Sequence, residues 1–486
     1  MKSVDTDKLL EVGIALSKQK DSDLLLETIL NAAMDLTDCD GGTLYIKTDS
    51  ALAFRTMITR SLDIHRNGKD EPITLPPVPL SPKNVCARAA LDGVLINVPD
   101  VYNDVRYDFS GPREYDKLTG YRTVSMLVVP MEDDHGDIIG VLQLINAQNE
   151  DGSLTSFDVG YEAVISSLAS QAAICLTNIN YAAEVVSLLD SFVHVMSTAI
   201  DARSPYNANH TRNMAKYAGY FLDRVYGKST NTIWNFTPER RRQFLFSVWL
   251  HDVGKLVTPL EIMDKESRLG MKLDLLEHRF EVLRLQNRID LLDESVSPER
   301  FEARQRQLTE ALDLIHDANM AGFLPDDKIA LIRTLAEPVY ETSDGTPIPL
   351  IDEEELIALS VRKGTLTADE RTIMEEHVIM TAKMLDQMAF SRNYTNVPIW
   401  ASMHHEYVNG QGYPSGLSGD EIPVEARLLT IIDIFDALTA RDRPYKPAMP
   451  IDKAIEVLHS MVKDGQLDGE ILELFIGCTP WEDEVL

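Results

Sequence analysis

Residues 168–200 read LASQAAICLTNINYAAEVVSLLDSFVHVMSTAI. Leu168, Ala172, Cys175, Ile179, Ala182, Val186, Leu189, Val193, Met196 and Ile200 alternate spacings of four and three. That is a 3.5-residue apolar repeat with no Gly or Pro to interrupt it. It predicts one long helix, read as a two-stranded parallel coiled coil joining two copies of the chain. The alternative is a helix packed on its own domain. Either way the stretch divides the chain: the residues before it mix helix and strand, and those after it are almost wholly helical.

Before the divide, residues 22–36 carry Leu24, Leu25, Ile29, Ala32, Ala33 and Leu36 at helical spacing after a Ser22 suited to capping. Short β-type runs come next at 43–47, 52–58, 94–100, 123–131 and 137–146, the last two separated by EDDHG, a hairpin signal. Short strands and one long helix read as an antiparallel sheet covered by helices.

After the divide, Thr237-Pro238 and the capping box Thr367-Ala-Asp-Glu370 mark helix starts. Residues 270–325, broken at Ser295–Pro298, read as an antiparallel helical hairpin. The stretch 341–352 (ETSDGTPIPLID) reads as a loop.

The 486 residues are 44% hydrophobic and 25% charged, as in an ordinary globular protein of about three units. The net charge of −31 works against binding a nucleic-acid polymer or an anionic membrane, both of which need a cationic footprint. An anionic ligand therefore needs local positive charge. Cys39, Cys86, Cys175 and Cys478 form no CxxC pair and suggest neither a disulfide framework nor a thiolate metal site. The N-terminal MKSVDTDKLLEVG lacks a signal-peptide core, and no run approaches the apolar length of a membrane span. The expectation is a cytoplasmic protein.

The chemistry lies in histidines. His210 stands in NANHTRNMAKYA, His251 in LHDVGK, His377 in EEHVIMTAKML, and His404 and His405 in MHHEYVNGQGYP. Asp252 and Asp433 join them. Each alone has an ordinary explanation as a core or surface side chain. Together, imidazoles and carboxylates without thiolate suit Mn, Fe or Zn in a catalytic site. Neighbouring residues on a helix point about 100° apart, so His404 and His405 reach a cluster more easily than one ion, across a helix end marked by Gly410 and Gly412. Asp252 is similarly placed to bridge two metals, and two such ions suit displacement at phosphorus.

His251-Asp252-Val-Gly-Lys255, then His404-His405-Glu406 with Gly410, Gly412-Tyr413-Pro414 and Gly416-Leu417, resembles the HD-GYP phosphodiesterases. Asp433-Ile-Phe-Asp436 and Asp442-Arg443-Pro444-Tyr445-Lys446 continue the likeness. The resemblance implies hydrolysis of cyclic di-GMP to pGpG or GMP, or of cyclic GMP-AMP. It implies one metal on His210, His251, Asp252 and Asp433, and a second on Asp252, His377, His404 and His405. The two divalent ions are expected to be Fe or Mn, with Zn and Ni as alternatives. Asp252 and Lys255 are the expected catalytic residues. Lys255, Tyr413, Arg443 and Lys446 are the expected substrate contacts, which as isolated residues read as turn and surface groups. Some members add a third metal through a Glu four residues before the first histidine; Tyr206 stands there, so two ions are expected.

The N-terminal third is similar to GAF domains, on Asp100-Val-Tyr-Asn-Asp104, Thr119-Gly-Tyr-Arg-Thr123, Gly140-Val-Leu-Gln-Leu-Ile-Asn146 and Phe157. Ala147 and Tyr161 depart from the cyclic-nucleotide-binding signature, so a structural or dimerising role stands beside a small-ligand role with a cyclic nucleotide. The expected architecture is an α+β GAF sensor over residues 1–165, a coiled-coil linker helix over 166–200 holding a homodimer, and an all-α HD-GYP domain over 201–486. An insertion at about 268–365 interrupts the last of these, as a lid, a partner surface or a dimer contact. The rival functions are a non-catalytic cyclic-dinucleotide effector and a phosphohydrolase for another nucleotide.

Overall fold

The structure is a computed structural model describing residues 21–67, 75–203, 209–225, 234, 236–338, 340–341, 345–388, 390, 394–440 and 448–482. The chain divides into two compact units, Met1–Leu189 and Asp190–Leu486.

In the first unit, β1 (Cys39–Lys47), β2 (Ala51–Thr59), β3 (Ile64–Arg66), β4 (Val78–Pro79), β5 (Ile96–Val98), β6 (Met126–Glu132), β7 (Ile138–Gln148) and β8 (Leu154–Thr155) form one sheet. Its main path runs β3-β2-β1-β7-β6-β5, with β4 on β2 and β8 on β7. These pairings are antiparallel, and β6 pairs with β7 across the expected hairpin. Alternation along the strands sends Leu44, Leu127, Val129, Leu142 and Leu144 to one face, where helix Ser22–Thr37 and the start of the connector helix cover them. Tyr45, Met126, Val128 and Val141 face the other side, against helix Val85–Asp92. The first helix is capped by Asp21 and not Ser22: its carboxylate accepts from the Asp23 and Leu24 N–H groups at 2.8 and 3.2 Å. A cavity of about 460 Å³ opens beside Tyr45, Phe54, Tyr115 and Gln143. Its described lining holds Asp108 and Glu114.

The long helix is present as Glu162–Arg203, 42 residues. Its 3.5-residue repeat does not lie on one free face. Leu168 and Ala172 are buried in the core of the first unit, and Val193 and Ile200 are buried further along. The free stripe is the adjacent one, a residue earlier: Tyr181, Val185, Leu188, Phe192 and Val195 are 41 to 70% exposed. Against the expectation that no run approaches a membrane span, this helix, taken from Val159, meets the minimum length and mean hydropathy for one.

The second unit is largely helical and not all-α: Tyr340–Glu341 and Pro347–Ile348 pair as a small antiparallel sheet, so the stretch 341–352 expected as a loop contains a strand. Thr237 caps helix Pro238–Leu250 with Pro238 in its first turn, and Thr367 and Glu370 close a reciprocal capping box on helix Ala368–Leu385. One core gathers Phe221, Phe244, Phe435 and Phe475. The insertion builds another, with Leu276, Phe280, Leu308, Ile315 and Leu359 between its helices. Its hairpin, Lys272–Leu292 and Pro298–Met320, leaves Leu275, Val282, Leu285, Ile289 and Leu292 exposed along one stripe.

Candidate metal centre

Seven ligand-type side chains from five places in the chain converge. His210 opens helix His210–Val225, and His251 caps the end of helix Pro238–Leu250. Asp252 comes next, at the start of a 3₁₀ turn, Val253–Val257. His377 lies in helix Ala368–Leu385 and Asp433 in helix Val424–Thr439. His404 and His405 sit on a turn beyond the short helix Val397–Ala401, so the helix end lies well before the glycines expected to mark it.

Asp252 is the hub. Its Oδ2 lies 3.2 Å from His251 Nε2 and 3.6 Å from His210 Nε2. Its Oδ1 lies 3.4 Å from His377 Nε2 and 3.7 Å from His404 Nε2. One oxygen thus faces each of two clusters, His210–His251–Asp252 and His377–His404–His405, whose donor atoms fall within 4.8 Å of one another in each. Asp433 closes the ring, with Oδ1 3.2 Å from His210 Nε2 and Oδ2 3.8 Å from His405 Nδ1.

The backbone sets which nitrogen points inward. Nδ1 of His251, His377 and His404 lies 2.7, 2.6 and 2.7 Å from the carbonyls of Val248, Met374 and Ala401. A carbonyl only accepts, so Nδ1 carries the proton and Nε2 keeps its lone pair for the centre. His210 Nδ1 is held instead by Asp436, at 2.7 Å. His251 Nε2 and Asp252 Oδ1 are buried without a hydrogen-bond partner. Such atoms are costly to bury unless something else meets them. The ammonium of Lys255, 2.5 Å from Asp252 Oδ2, already stands beside that carboxylate as a cation. Unpartnered inward donors and a cation on the bridging carboxylate fit a dinuclear metal centre.

Electrostatics agree. Burial pushes the Asp252 carboxyl up, but His251 and Lys255 outweigh it and hold it well below the usual range. Burial, with His405 and His251 nearby, keeps His404 neutral far below its usual range. Burial also brings His405 down to about 4. His210 is the exception: burial pulls it down, yet Asp433 and Asp436 raise it to about 9. Metal-free protein therefore carries a proton on His210 at neutral pH that a cation must displace. Metal uptake is expected to release about one proton from this residue below pH 9, with affinity rising with pH and levelling above it. Calorimetry in buffers of different ionisation enthalpy measures the release; none at pH 7 would remove His210 from the ligands.

The loop after His405 is fixed by Glu406, buried and accepting from the N–H groups of Ser415 and Leu417 at 2.7 and 2.9 Å. Tyr413 donates its N–H to the His405 carbonyl at 3.1 Å, and its ring centroid lies 4.7 Å from that of His405. Arg443, Lys446 and Tyr206 lie outside the described residues. Three residues that support the site are not among the site residues expected from the sequence, although the first two stand in the motifs quoted for it: Asp436, Glu406 and Thr381. Asp436 had a readable signal, since it stands one helical turn after Asp433.

The GAF domain family matches residues 21–176 and the HD domain family residues 353–471. The chain thus carries an N-terminal match to the GAF domain and a C-terminal match to the HD domain. The HD match begins after His210, His251 and Asp252, as the insertion separates the two halves of the metal centre. A 3'3'-cGAMP-specific phosphodiesterase of Vibrio cholerae is 39% identical over 101 residues, 21% of each chain. A cyclic di-GMP phosphodiesterase response regulator of Xanthomonas campestris is 38% identical over 101 residues, 21% of this chain and 26% of that one. This chain thus spans about a quarter or less of the length of these relatives. The GAF domain of an Acinetobacter phosphoenolpyruvate-protein phosphotransferase is 13% identical, with a TM-score of 0.29, over 38% of this chain and 99% of that one.

Proposed function

We propose that the chain is a metal-dependent phosphodiesterase of the HD-GYP type that hydrolyses a cyclic dinucleotide, cyclic di-GMP ahead of cyclic GMP-AMP, to pGpG or GMP. The observation that carries the reading is Asp252, with one carboxylate oxygen turned to each histidine cluster. In this reading His210, His251, Asp252 and Asp433 hold one divalent ion, and Asp252, His377, His404 and His405 hold the other. Nitrogen and oxygen donors without thiolate suit Fe or Mn. When bound, such ions stabilise charge on a phosphoryl group and make water a nucleophile at neutral pH.

The chain's own side chains do the rest. Lys255, now on Asp252, offers its ammonium to a phosphate oxygen. Arg443 grips phosphate through two nitrogens and Lys446 adds a point charge. Together they build the local positive charge that an anionic substrate needs on a chain of net −31. Tyr413, held against His405 by the loop that Glu406 fixes, presents its ring to a base or ribose. Retention of all seven donors favours turnover over a binding-only effector. Two chains pair in parallel along the exposed stripe from Tyr181 to Val195, so that the GAF domain regulates the site through the connector helix. The insertion's stripe makes it a partner surface. Four free cysteines suit the cytoplasm, and the acidic surface keeps the chain off membranes and nucleic acid.

The test is turnover by metal-loaded full-length protein of cyclic di-GMP and cyclic GMP-AMP, with products resolved by chromatography and chain mass by light scattering. Hydrolysis of a cyclic dinucleotide by a dimer is expected. Arg443→Ala should weaken substrate binding by about 10- to 150-fold, the worth of one charge-assisted bond, with metal content intact. Activity on mononucleotides or phosphomonoesters and on neither cyclic dinucleotide would overturn the reading.

A further inference from the structure

The insertion carries an apolar repeat of its own, on the side of helix Lys272–Leu292 turned away from its core. Met271, Leu275, His278, Val282, Leu285, Ile289 and Leu292 alternate spacings of four and three over about three heptads. The six apolar members are 52 to 77% exposed. His278 is exposed too, with Nδ1 2.6 Å from the Asp274 carbonyl. The buried residues of the same helix are Leu276, Phe280, Leu283, Asn287 and Asp290. At about 100° per residue these lie on roughly the opposite side, so the insertion's core makes no use of the exposed stripe. The insertion also leaves and rejoins the chain at one neck. Thr365 Oγ1 donates to the Lys265 carbonyl at 2.9 Å, and Arg268 donates to the carbonyls of Ala318 and Val361 at 2.7 and 2.8 Å. With joined ends and a core of its own, it is a module whose outer helix shows a coiled-coil period to solvent.

The flanks of the stripe select the occupant. One flank carries Asp274, Glu281 and Arg288, the other Lys272, Arg279, Gln286 and Asp293. A copy of the helix laid parallel and in register sets Asp274 beside Arg279, Glu281 beside Gln286 and Arg288 beside Asp293, each five residues on. A copy laid antiparallel, with Val282 against Leu285, sets Glu281 beside Arg288 and Lys272 beside Asp293. Neither direction brings like charges together, so the surface is complementary to itself. On a chain of net −31, where copies repel, a seam with balanced flanks and an apolar centre is the place for contact. We propose that the outer face of helix Lys272–Leu292 is a coiled-coil seam that pairs with the same helix of a second copy of the chain. The inference rests on the reading of the insertion as a partner surface and names the partner. Pairing along the connector helix raises the local concentration of the second insertion. The seam links two chains through a segment that lies between Asp252 and His377 in sequence. Lys265 ties that segment to the helix carrying His377, its Nζ donating to both Glu370 carboxylate oxygens at 2.7 Å.

Val282 stands mid-stripe and meets its counterpart in either direction, so Val282→Cys in the full-length protein reports the pairing. After brief mild oxidation of dilute protein, a disulfide-linked dimer is expected on a non-reducing gel. Wild type, with Cys39 and Cys86 buried, should give little of it. Leu331→Cys, at a comparably exposed leucine off the stripe, should give no more than wild type. Adding Leu285→Glu to Val282→Cys should cut the linkage by about tenfold or more, the worth of one buried leucine. Both stripe positions are exposed within the chain, so circular dichroism should show every variant folded. Linkage of Val282→Cys no greater than that of Leu331→Cys, or linkage that survives Leu285→Glu, would overturn the inference. Turnover of cyclic di-GMP by the same proteins keeps it apart from the proposed function. Turnover without Val282 linkage removes the seam and leaves that function standing, and linkage without turnover does the reverse.

Discussion

Asp252→Asn is expected to abolish turnover and to drop metal content from two ions per chain to one or fewer. The substitution is isosteric, yet it replaces a carboxylate that offers one oxygen to each cluster by an amide with a single acceptor. Both clusters lose charge at once. The loss in affinity should exceed the 10- to 100-fold typical of changes behind the ligands by about another order of magnitude. The fold should survive, because the change leaves the apolar core of Phe221, Phe244, Phe435 and Phe475 intact. In metal-free protein the change also removes the anion that Lys255 pairs with, and stranding one charge of a buried pair costs about 3–5 kcal/mol, offset in part by the burial cost of the carboxylate itself. Elemental analysis, steady-state assay and a thermal melt of the same preparation check the three statements. Two tightly held ions and near-native activity in the variant would show that the two clusters do not share Asp252.

The reach of a sequence pattern decides how much of this was legible. The seven ligand-type residues announce themselves by type and by local setting, and their side chains converge, although His404 and His405 sit on a turn and not at a helix end marked by Gly410 and Gly412. The strands and the capped helices at Thr237 and Thr367 were readable because their signals are short-range. What supports the ligands is not short-range. Thr381 meets His251 across 130 residues, and Asp436 meets His210 across 226. No local period marks such pairs, and here an insertion with its own core stands between the halves. The connector helix shows a different limit. A 3.5-residue repeat gives the period but not which of two adjacent stripes is free, and a shift of one residue turns the face by about 100°. Leu168 and Ala172 went inward, leaving Tyr181, Val185 and Leu188 outside.

Gly254→Ala is the second change expected to be severe, although it adds one methyl group to a residue that ligates nothing. A Cβ at this position would stand 1.9 Å from the carbonyl oxygen of His377 and 2.6 Å from the Thr381 nitrogen. Both are backbone atoms of helix Ala368–Leu385, so no side chain can swing aside, and the helix must separate from the turn. Two hydrogen bonds span that contact: Gly254 N–H to Thr381 Oγ1 at 3.0 Å, and Thr381 Oγ1 to the His251 carbonyl at 2.9 Å. Moving the helix breaks both and carries His377 away from Asp252 Oδ1, now 3.4 Å off. Overpacking costs about 1–3 kcal/mol, and the lost bonds about 1 kcal/mol each, so a fall of about 3–5 kcal/mol is expected. Thr381→Val separates the two contributions, since it removes the hydroxyl without the clash and should cost about 1–3 kcal/mol. Urea melts of metal-free protein give both values. The metal readout gives the direction: the cluster containing His377 should empty first in Gly254→Ala, while His210, His251 and Asp252 keep their ion. Wild-type stability with two bound ions would mean that turn and helix part without disturbing the ligands, and the close contact at Gly254 would then have no bearing on the site.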